Sequence, residues 1–227
     1  MGKRVADVLI ETLQTAGAKT CYGIVGDTLN RIAHAIDRCE IDWVHMRHEE
    51  AGAFAASAEA QLTGRLTVCA GTCGPGSLHF INGLYEANRN RSPVILIATQ
   101  IVRQDIGFDS IQEIDLQEVF KGCSVFCETI LTPEQARRKT VAACQAALTK
   151  RGVAVLVVPA IRPLHDRMPV LLHPDEYDQW LRGTFEDLLA FQQRRFPDDL
   201  IEIQPTSDLW VKRKAPASID TPSLLRR

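Results

Sequence analysis

Residues 47–64 read Arg-His-Glu-Glu-Ala-Gly-Ala-Phe-Ala-Ala-Ser-Ala-Glu-Ala-Gln-Leu-Thr-Gly, and this stretch decides the fold. The segment 41–46 just before it reads as a strand. Small residues at Ala51, Ala55, Ala56, Ala58 and Ala60 predict a closely packed helix that Gly64 stops. Glu49 falls at the junction of the two. A carboxylate where a strand runs into a helix faces the crevice at the carboxyl edge of an open α/β sheet, where such folds bind ligands. A second marker lies at 69–84, Cys-Ala-Gly-Thr-Cys-Gly-Pro-Gly-Ser-Leu-His-Phe-Ile-Asn-Gly-Leu. It again reads as a strand, a glycine-rich turn and a helix.

Outward from these markers the same alternation continues. Residues 3–16 predict a helix with Val5, Val8, Leu9 and Leu13 on one stripe, ended at Gly17. Thr20–Val25 reads as a strand, with Asp27 capping a helix to about Arg38. Strands at 41–46 and 66–71 each feed a helix. Residues 93–98, Pro-Val-Ile-Leu-Ile-Ala, form a continuous apolar run, the pattern of a strand buried on both faces. A loop of about 16 residues follows, then a short helix near 115–120 and a strand at 124–129. Thr132 is expected to cap a helix over 133–150 with Pro133 at its first position, and Gly152 leads into a strand at 153–158. Strands interleaved with helices in this way predict an α/β fold, a doubly wound six-stranded parallel sheet.

Composition narrows the function classes. The chain has 227 residues and a formal net charge of −2, so no global field draws it to nucleic acid or membrane. No apolar run reaches the roughly 18 residues of a membrane helix. The start, Met-Gly-Lys-Arg-Val-Ala-Asp, leads into an amphipathic helix rather than an apolar signal core, which points to the cytoplasm. Seven cysteines, an odd number without a framework spacing, suit a reducing compartment. The pairs Cys69/Cys73 and Cys123/Cys127 read as buried structural thiols, not as ligands, and no metal is expected on this chain.

The segments 47–64 and 69–84, with residues 22–27 (Tyr-Gly-Ile-Val-Gly-Asp) before them and Gln112-Glu113 after, closely resemble one family. It is the pyrimidine-binding (Pyr) domain of thiamine-diphosphate enzymes of the pyruvate oxidase, quinone-dependent pyruvate dehydrogenase and acetolactate synthase group. The resemblance runs from about residue 3 to about residue 160. It implies that Glu49 is the catalytic carboxylate that hydrogen-bonds the cofactor's aminopyrimidine and favours the imino tautomer. Such a carboxyl must hold or share a proton near neutral pH, which burial favours; Phe54 and the alanines after it are candidates to supply that setting. The plainer reading of Glu49 is a first-turn glutamate stabilised by the helix dipole. Glu50 is expected to be solvated and His48 to be structural.

The resemblance further implies cofactor contacts from Val25 and Gly26, from Thr72, from Pro75 and Gly76, and from His79. A turn built on Gly74 and Gly76 would let backbone approach a ring, because glycine lacks the Cβ that would collide. On spacing alone that turn could be a plain tight loop, and His79 and Asn82 could be helix-packing residues. Gln112 and Glu113 are implied on the substrate side. Ile111 stands where relatives often have an aromatic residue, which bears against oxidase-type flavin coupling. Diphosphate and Mg²⁺ belong, in this family, to a second domain carrying Gly-Asp-Gly, and FAD to a third; no Gly-Asp-Gly occurs in this chain. The cofactor expected here is thiamine diphosphate, with the site completed in a homodimer or by a separate subunit carrying the diphosphate-binding (PP) domain.

From residue 161 the composition changes. The strings at 164–170 (Leu-His-Asp-Arg-Met-Pro-Val), 173–181, 196–199 and 205–212 resemble the C-terminal end of SOS-response-associated peptidases (SRAP), which crosslink abasic sites in DNA. His165 matches that family's catalytic histidine; Gly2 stands where its nucleophilic cysteine would be. The expected organisation is a Pyr domain over 1–160, then a SRAP-like incomplete tail over 161–227, irregular and partly helical with a disordered end. Three functions are compatible: a thiamine-dependent module active only with a partner, a non-catalytic remnant that only dimerises or binds cofactor weakly, and a SRAP-like DNA-binding protein.

Overall fold

The computed structural model describes residues 3–160, together with Glu176, Gln179 and Thr184. The chain divides into two units, Met1–Leu164 and His165–Arg227, and the fold below is that of the first. Apart from those three residues, the SRAP-like tail, His165 included, lies outside the described residues.

Six strands form one sheet: β1 (Thr20–Gly23), β2 (Asp42–His45), β3 (Thr67–Gly71), β4 (Val94–Val102), β5 (Phe126–Thr129) and β6 (Val153–Ala160). Their order is β2-β1-β3-β4-β6-β5, and every pairing is parallel. Parallel neighbours need crossovers, and seven helices are available for them: α1 (Val5–Thr15), α2 (Asn30–Ile36), α3 (Glu49–Thr63), α4 (Pro75–Leu78), α5 (Ile81–Arg89), α6 (Leu116–Lys121) and α7 (Gln135–Thr149). This is the doubly wound α/β sheet that the alternation predicts.

The central strands sort their side chains with a period of two. Val68 and Ala70, Ile95 and Ile97, and Ala154 and Leu156 join Leu9, Leu13, Ile36 and Ala143 in one buried core, on the face covered by α1, α2 and α7. Cys69, Leu96 and Val155 join Ala53, Ala56, Leu84 and Phe120 in the other, under α3, α5 and α6. Both faces are apolar, which is why these strands read as unbroken apolar runs.

The chain runs from β1 outward to β2, then returns across β1 to β3. The winding direction reverses between β1 and β3, and such a reversal opens a crevice at the carboxyl ends of the two strands. The turns after β1 and β3 and the start of α3 lie at that end.

Several boundaries differ from the sequence reading. The expected helix from Asp27 begins as a short 3-10 turn, Asp27–Leu29, before α2 starts at Asn30. On α1 the buried residues are Ala6, Leu9, Ile10 and Leu13, with Val5 and Val8 only partly covered. Helix α7 starts at Gln135, because Thr132 and Pro133 form a turn whose carbonyls accept from Gln135 and Ala136. Strand β4 continues past Ala98 to Val102, since Thr99 and Gln100 are buried but satisfied. Thr99 donates to the Gly71 carbonyl at 2.9 Å, and the Gln100 amide bonds Ile114 and Ile101 backbone. No helix among the described residues is long and apolar enough to cross a membrane.

Candidate active site

Glu49 is the first residue of α3, and His48 caps the helix. His48 has extended backbone (φ −151°, ψ 137°), and its Nδ1 accepts from the Glu50 N–H at 3.3 Å. The stripe Glu49, Gly52, Ala53, Ala56, Ser57, Ala60 is buried, at the i, i+3, i+4 spacing of one helix face. Ala51 and Ala58, expected to pack, lie on the exposed side. Gly64 ends the helix with φ 69°, its N–H returning to the Ala60 carbonyl.

The Glu49 residue is 8 % exposed. Its enclosure does not come from Phe54, which is 43 % exposed and five positions along, off the buried stripe. It comes from the second marker instead. Glu49 Oε2 lies 3.1 Å from His79 Nδ1. Glu49 Oε1 borders Gly76, where a Cβ would sit 3.5 Å from it. The His79 ring stacks on the His48 ring, with centroids 4.8 Å apart and planes at 26°. Glu50 accepts from Asn82 Nδ2 at 2.8 Å, so Asn82 ties the start of α5 to the start of α3.

The turn after β3 is shaped by tight approaches. Gly74 has φ 63°, and a Cβ there would come within 2.8 Å of Gln112 Cβ and 3.0 Å of the Gln112 carbonyl. At Gly76 a Cβ would meet Thr72 Cγ2 at 2.5 Å, and at Gly26 it would meet Thr72 Cβ at 2.6 Å. Ser77 Oγ donates to the Thr72 carbonyl at 2.7 Å and holds the turn closed. Gly26 is extended and Val25, beside it, is 49 % exposed at the crevice end of β1.

Beneath this turn lies a hydroxyl junction that sequence reasoning missed. Thr28 Oγ1 lies 2.8 Å from Thr72 Oγ1 and 2.6 Å from Thr99 Oγ1, and it accepts from the Cys73 N–H at 3.0 Å. Because Thr99 donates to the Gly71 carbonyl, Thr28 donates to Thr99 and Thr72 donates to Thr28. One hydroxyl thus links the turns after β1 and β3 to β4. The only signal was Thr99 directly after the apolar run, and nothing local marks its partners.

The two substrate-side candidates separate. Gln112 abuts the Gly74 turn, and its Oε1 accepts from Cys73 Sγ at 3.3 Å. It also has φ 65°, a strained backbone for a residue with a side chain. Glu113 turns into its own loop, accepting from the N–H groups of Gly107 and Ser110. Ile111 and Phe108 stand out at 89 % and 79 % exposure.

All seven cysteines are free thiols. Burial pushes Cys123 and Cys144 up to about 11 and Cys127 up to about 12. Cys21 and Cys69 are pushed up further by complete burial. Such thiols are poor nucleophiles and poor ligands at neutral pH. Neither expected cysteine pair gives a ligand cluster among the described residues, whereas His48, Glu49 and His79 bring their donor atoms within 4.8 Å of one another.

Relatives of known sequence share this domain. A protein of Pseudomonas amyloderamosa, described as an uncharacterized 42.6 kDa protein in an isoamylase 3′ region, is 51 % identical over 157 residues, 69 % of this chain and 40 % of that protein. A pyruvate oxidase of Lactiplantibacillus plantarum is 33 % identical over 157 residues, 68 % of this chain and 26 % of the oxidase. Acetolactate synthase 1 of Oryza sativa subsp. japonica is 32 % identical over 156 residues, 68 % of this chain and 24 % of the synthase. The chain therefore spans well under half of these relatives' lengths. Residues 3–119 match the thiamine pyrophosphate enzyme N-terminal TPP-binding domain, and with that match and the six-stranded parallel sheet the chain belongs to this family.

Proposed function

We propose that this chain is the thiamine-diphosphate-binding Pyr module of a pyruvate oxidase-like or decarboxylase-like enzyme, with Glu49 activating the aminopyrimidine. The observation that supports this is a buried carboxylate at the switch point, with one oxygen held by His79 and the other beside the bare backbone of Gly76. The residues present fit a flat heteroaromatic ring. Gly74 and Gly76 leave the backbone of the turn without side chains on either side of Pro75, and Thr72 Cγ2 fills the space behind Gly76. Gly26 offers extended backbone at the same edge, beside the exposed Val25.

Thiamine diphosphate, when bound, supplies a thiazolium carbon acid whose deprotonation its own aminopyrimidine assists. The chain's part is to place and hold a proton. Glu49 would meet a ring nitrogen of the bound cofactor through Oε1, the oxygen left free of His79, and would hold the proton that the two atoms share. His79 fixes Oε2 and so sets the plane of the carboxyl group. The Thr28 junction ties the turns after β1 and β3, which would hold the ring between them, to each other and to β4. Gln112 is the substrate-side contact, whereas Glu113 shapes the loop that carries it.

Diphosphate, Mg²⁺ and any flavin would be held by groups other than these, in a homodimer or by a separate subunit. Seven free thiols suit a reducing, cytoplasmic setting. The test is direct retention of cofactor. The purified full chain, alone and mixed with candidate subunits that carry Gly-Asp-Gly, is equilibrated with thiamine diphosphate and the bound cofactor is measured. Partner-dependent binding that Glu49→Gln weakens is the expected result. No binding in any combination would contradict the proposal.

A further inference from the structure

We infer that His48, Glu49 and His79 form a site for a divalent transition-metal ion of the Zn²⁺ or Co²⁺ type, and that this ion and the pyrimidine ring exclude each other at Glu49. The binding part stands on the three side chains alone; the exclusion part rests on the function proposed above.

Two imidazoles and one carboxylate are a donor set that zinc and its neighbours prefer, whereas Mg²⁺ favours oxygen ligands. The three groups come from the start of α3 and the α4–α5 junction, and their donor atoms all lie within 4.8 Å. Metal–ligand bonds of about 2.0–2.1 Å in a tetrahedral site put donors about 3.4 Å apart. The His79 Nδ1–Glu49 Oε2 pair, at 3.1 Å, already has that spacing. His48 must close in by up to about 1.4 Å, the difference between the widest donor spacing and the ideal one. Its side chain is 53 % exposed and that of His79 is 48 % exposed, so both can swing, and the ion has a way in.

The surrounding charges permit a cation. The positive end of α3 opposes it, but Glu49 and Glu50 both occupy that first turn. Glu50 Oε2 lies 3.9 Å from His48 Nδ1 and adds a second negative charge beside the site. The cost is the 3.3 Å contact from the Glu50 N–H to His48 Nδ1, if that nitrogen is the one that ligates. With three protein ligands the ion keeps an open position. A carboxylate that binds the ion through Oε2 cannot at the same time carry a proton on Oε1 for a ring nitrogen, which gives the exclusion.

The test is a titration of the tag-free full chain with CoCl₂, followed by its visible d–d absorption and by calorimetry, with ZnCl₂ displacing it. One Co²⁺ per chain is expected, without the thiolate charge-transfer band that cysteine ligation would give. His79→Gln, Glu49→Gln and His48→Asn should each weaken binding roughly tenfold or more. Asn is itself a good N-cap, so His48→Asn removes the imidazole and keeps the helix start. Circular dichroism checks the fold of each variant, and if one unfolds the other two decide. Affinity unchanged in the folded variants, a thiolate band, or no binding at all would overturn the site. Displacement of Co²⁺ by thiamine, which lacks the chelating diphosphate, is measured in the complex with a Gly-Asp-Gly subunit and reads the exclusion separately. Loss of cobalt binding in the variants without displacement by thiamine would leave the metal site standing and count against the pyrimidine reading.

Discussion

Replacing Gly83 by alanine tests how closely the two helices that frame the site approach. A Cβ at Gly83 on α5 would lie 2.5 Å from Ala53 Cβ and 2.9 Å from the Phe54 backbone N on α3. Ordinary carbon contacts are about 3.5–4.0 Å, so the helices must part by about 1 Å or more. No rotamer change relieves this, because the obstructing atoms are a Cβ and a backbone nitrogen. Overpacking of this kind costs about 1–3 kcal/mol. Alanine in mid-helix returns about 1 kcal/mol of propensity. Two clashes below 3.0 Å, one of them against backbone, put the cost in the upper part of that range, about 2–3 kcal/mol, so the net expectation is a loss of about 1–2 kcal/mol, or a drop of about 2–8 °C in the unfolding midpoint of a domain this size. Urea unfolding followed by circular dichroism should show a lower midpoint with an unchanged slope. Adding Ala53→Gly should restore only part of the loss, since the backbone contact remains. A Gly83→Ala chain as stable as the wild type, or more stable, would refute the close approach of α3 and α5.

Three further outcomes follow from the same structure. Thr28→Val leaves the Cys73 N–H and two threonine hydroxyls short of a partner and should cost about 1–3 kcal/mol in urea unfolding, whereas Thr28→Ser should stay near wild type; equal loss in both would mean that the hydroxyl junction is not what holds the turns. Burial raises Cys123 and Cys144 from 9.0 to about 11 and Cys127 to about 12, and burial with the Glu59 carboxylate raises Tyr22 from 10.0 to about 12. The fold favours the protonated forms, so this stability is whole below pH 9 and is lost as pH climbs through 11 to 12; a urea midpoint flat from pH 9 to 12 would contradict it. The pure chain without a partner subunit should show no pyruvate decarboxylation, and turnover on the order of 1 per second or more would show that one chain is sufficient.

Much of the fold was legible because a parallel sheet covered on both faces leaves a plain trace. The run at 94–98 and its counterpart at 153–158 are apolar at every position since each side chain enters one of two cores. The same logic misplaced the end of β4, where Thr99 and Gln100 are buried with their hydrogen bonds supplied by residues far along the chain. Pro133 suits a first helical position in isolation, yet it sits in a turn because the Thr132 and Pro133 carbonyls start the hydrogen bonding of α7. At the site, Glu49 and the glycine turn were legible as local motifs. His79 and Thr72 came only from the resemblance, and their pairings were not legible. His79 lies 30 residues from Glu49, the hydroxyls around Thr28 lie on separate strands and turns, and their convergence is a product of the winding order β2-β1-β3-β4. Phe54 failed as a shield for a simple helical reason: it lies off the buried stripe that begins at Glu49.

The measurement closest to the central claim is hydrogen–deuterium exchange at the thiazolium carbon of thiamine diphosphate in a reconstituted complex. Glu49→Gln removes the ionisable carboxyl while nearly preserving shape, so the fold and the His79 contact distance should survive. The account predicts exchange slowed by orders of magnitude in Glu49→Gln, against rapid exchange in the wild type, in keeping with the roughly 10²–10⁴-fold that a positioned proton-transfer group supplies. Exchange at the wild-type rate in a folded, cofactor-loaded Glu49→Gln complex would contradict it.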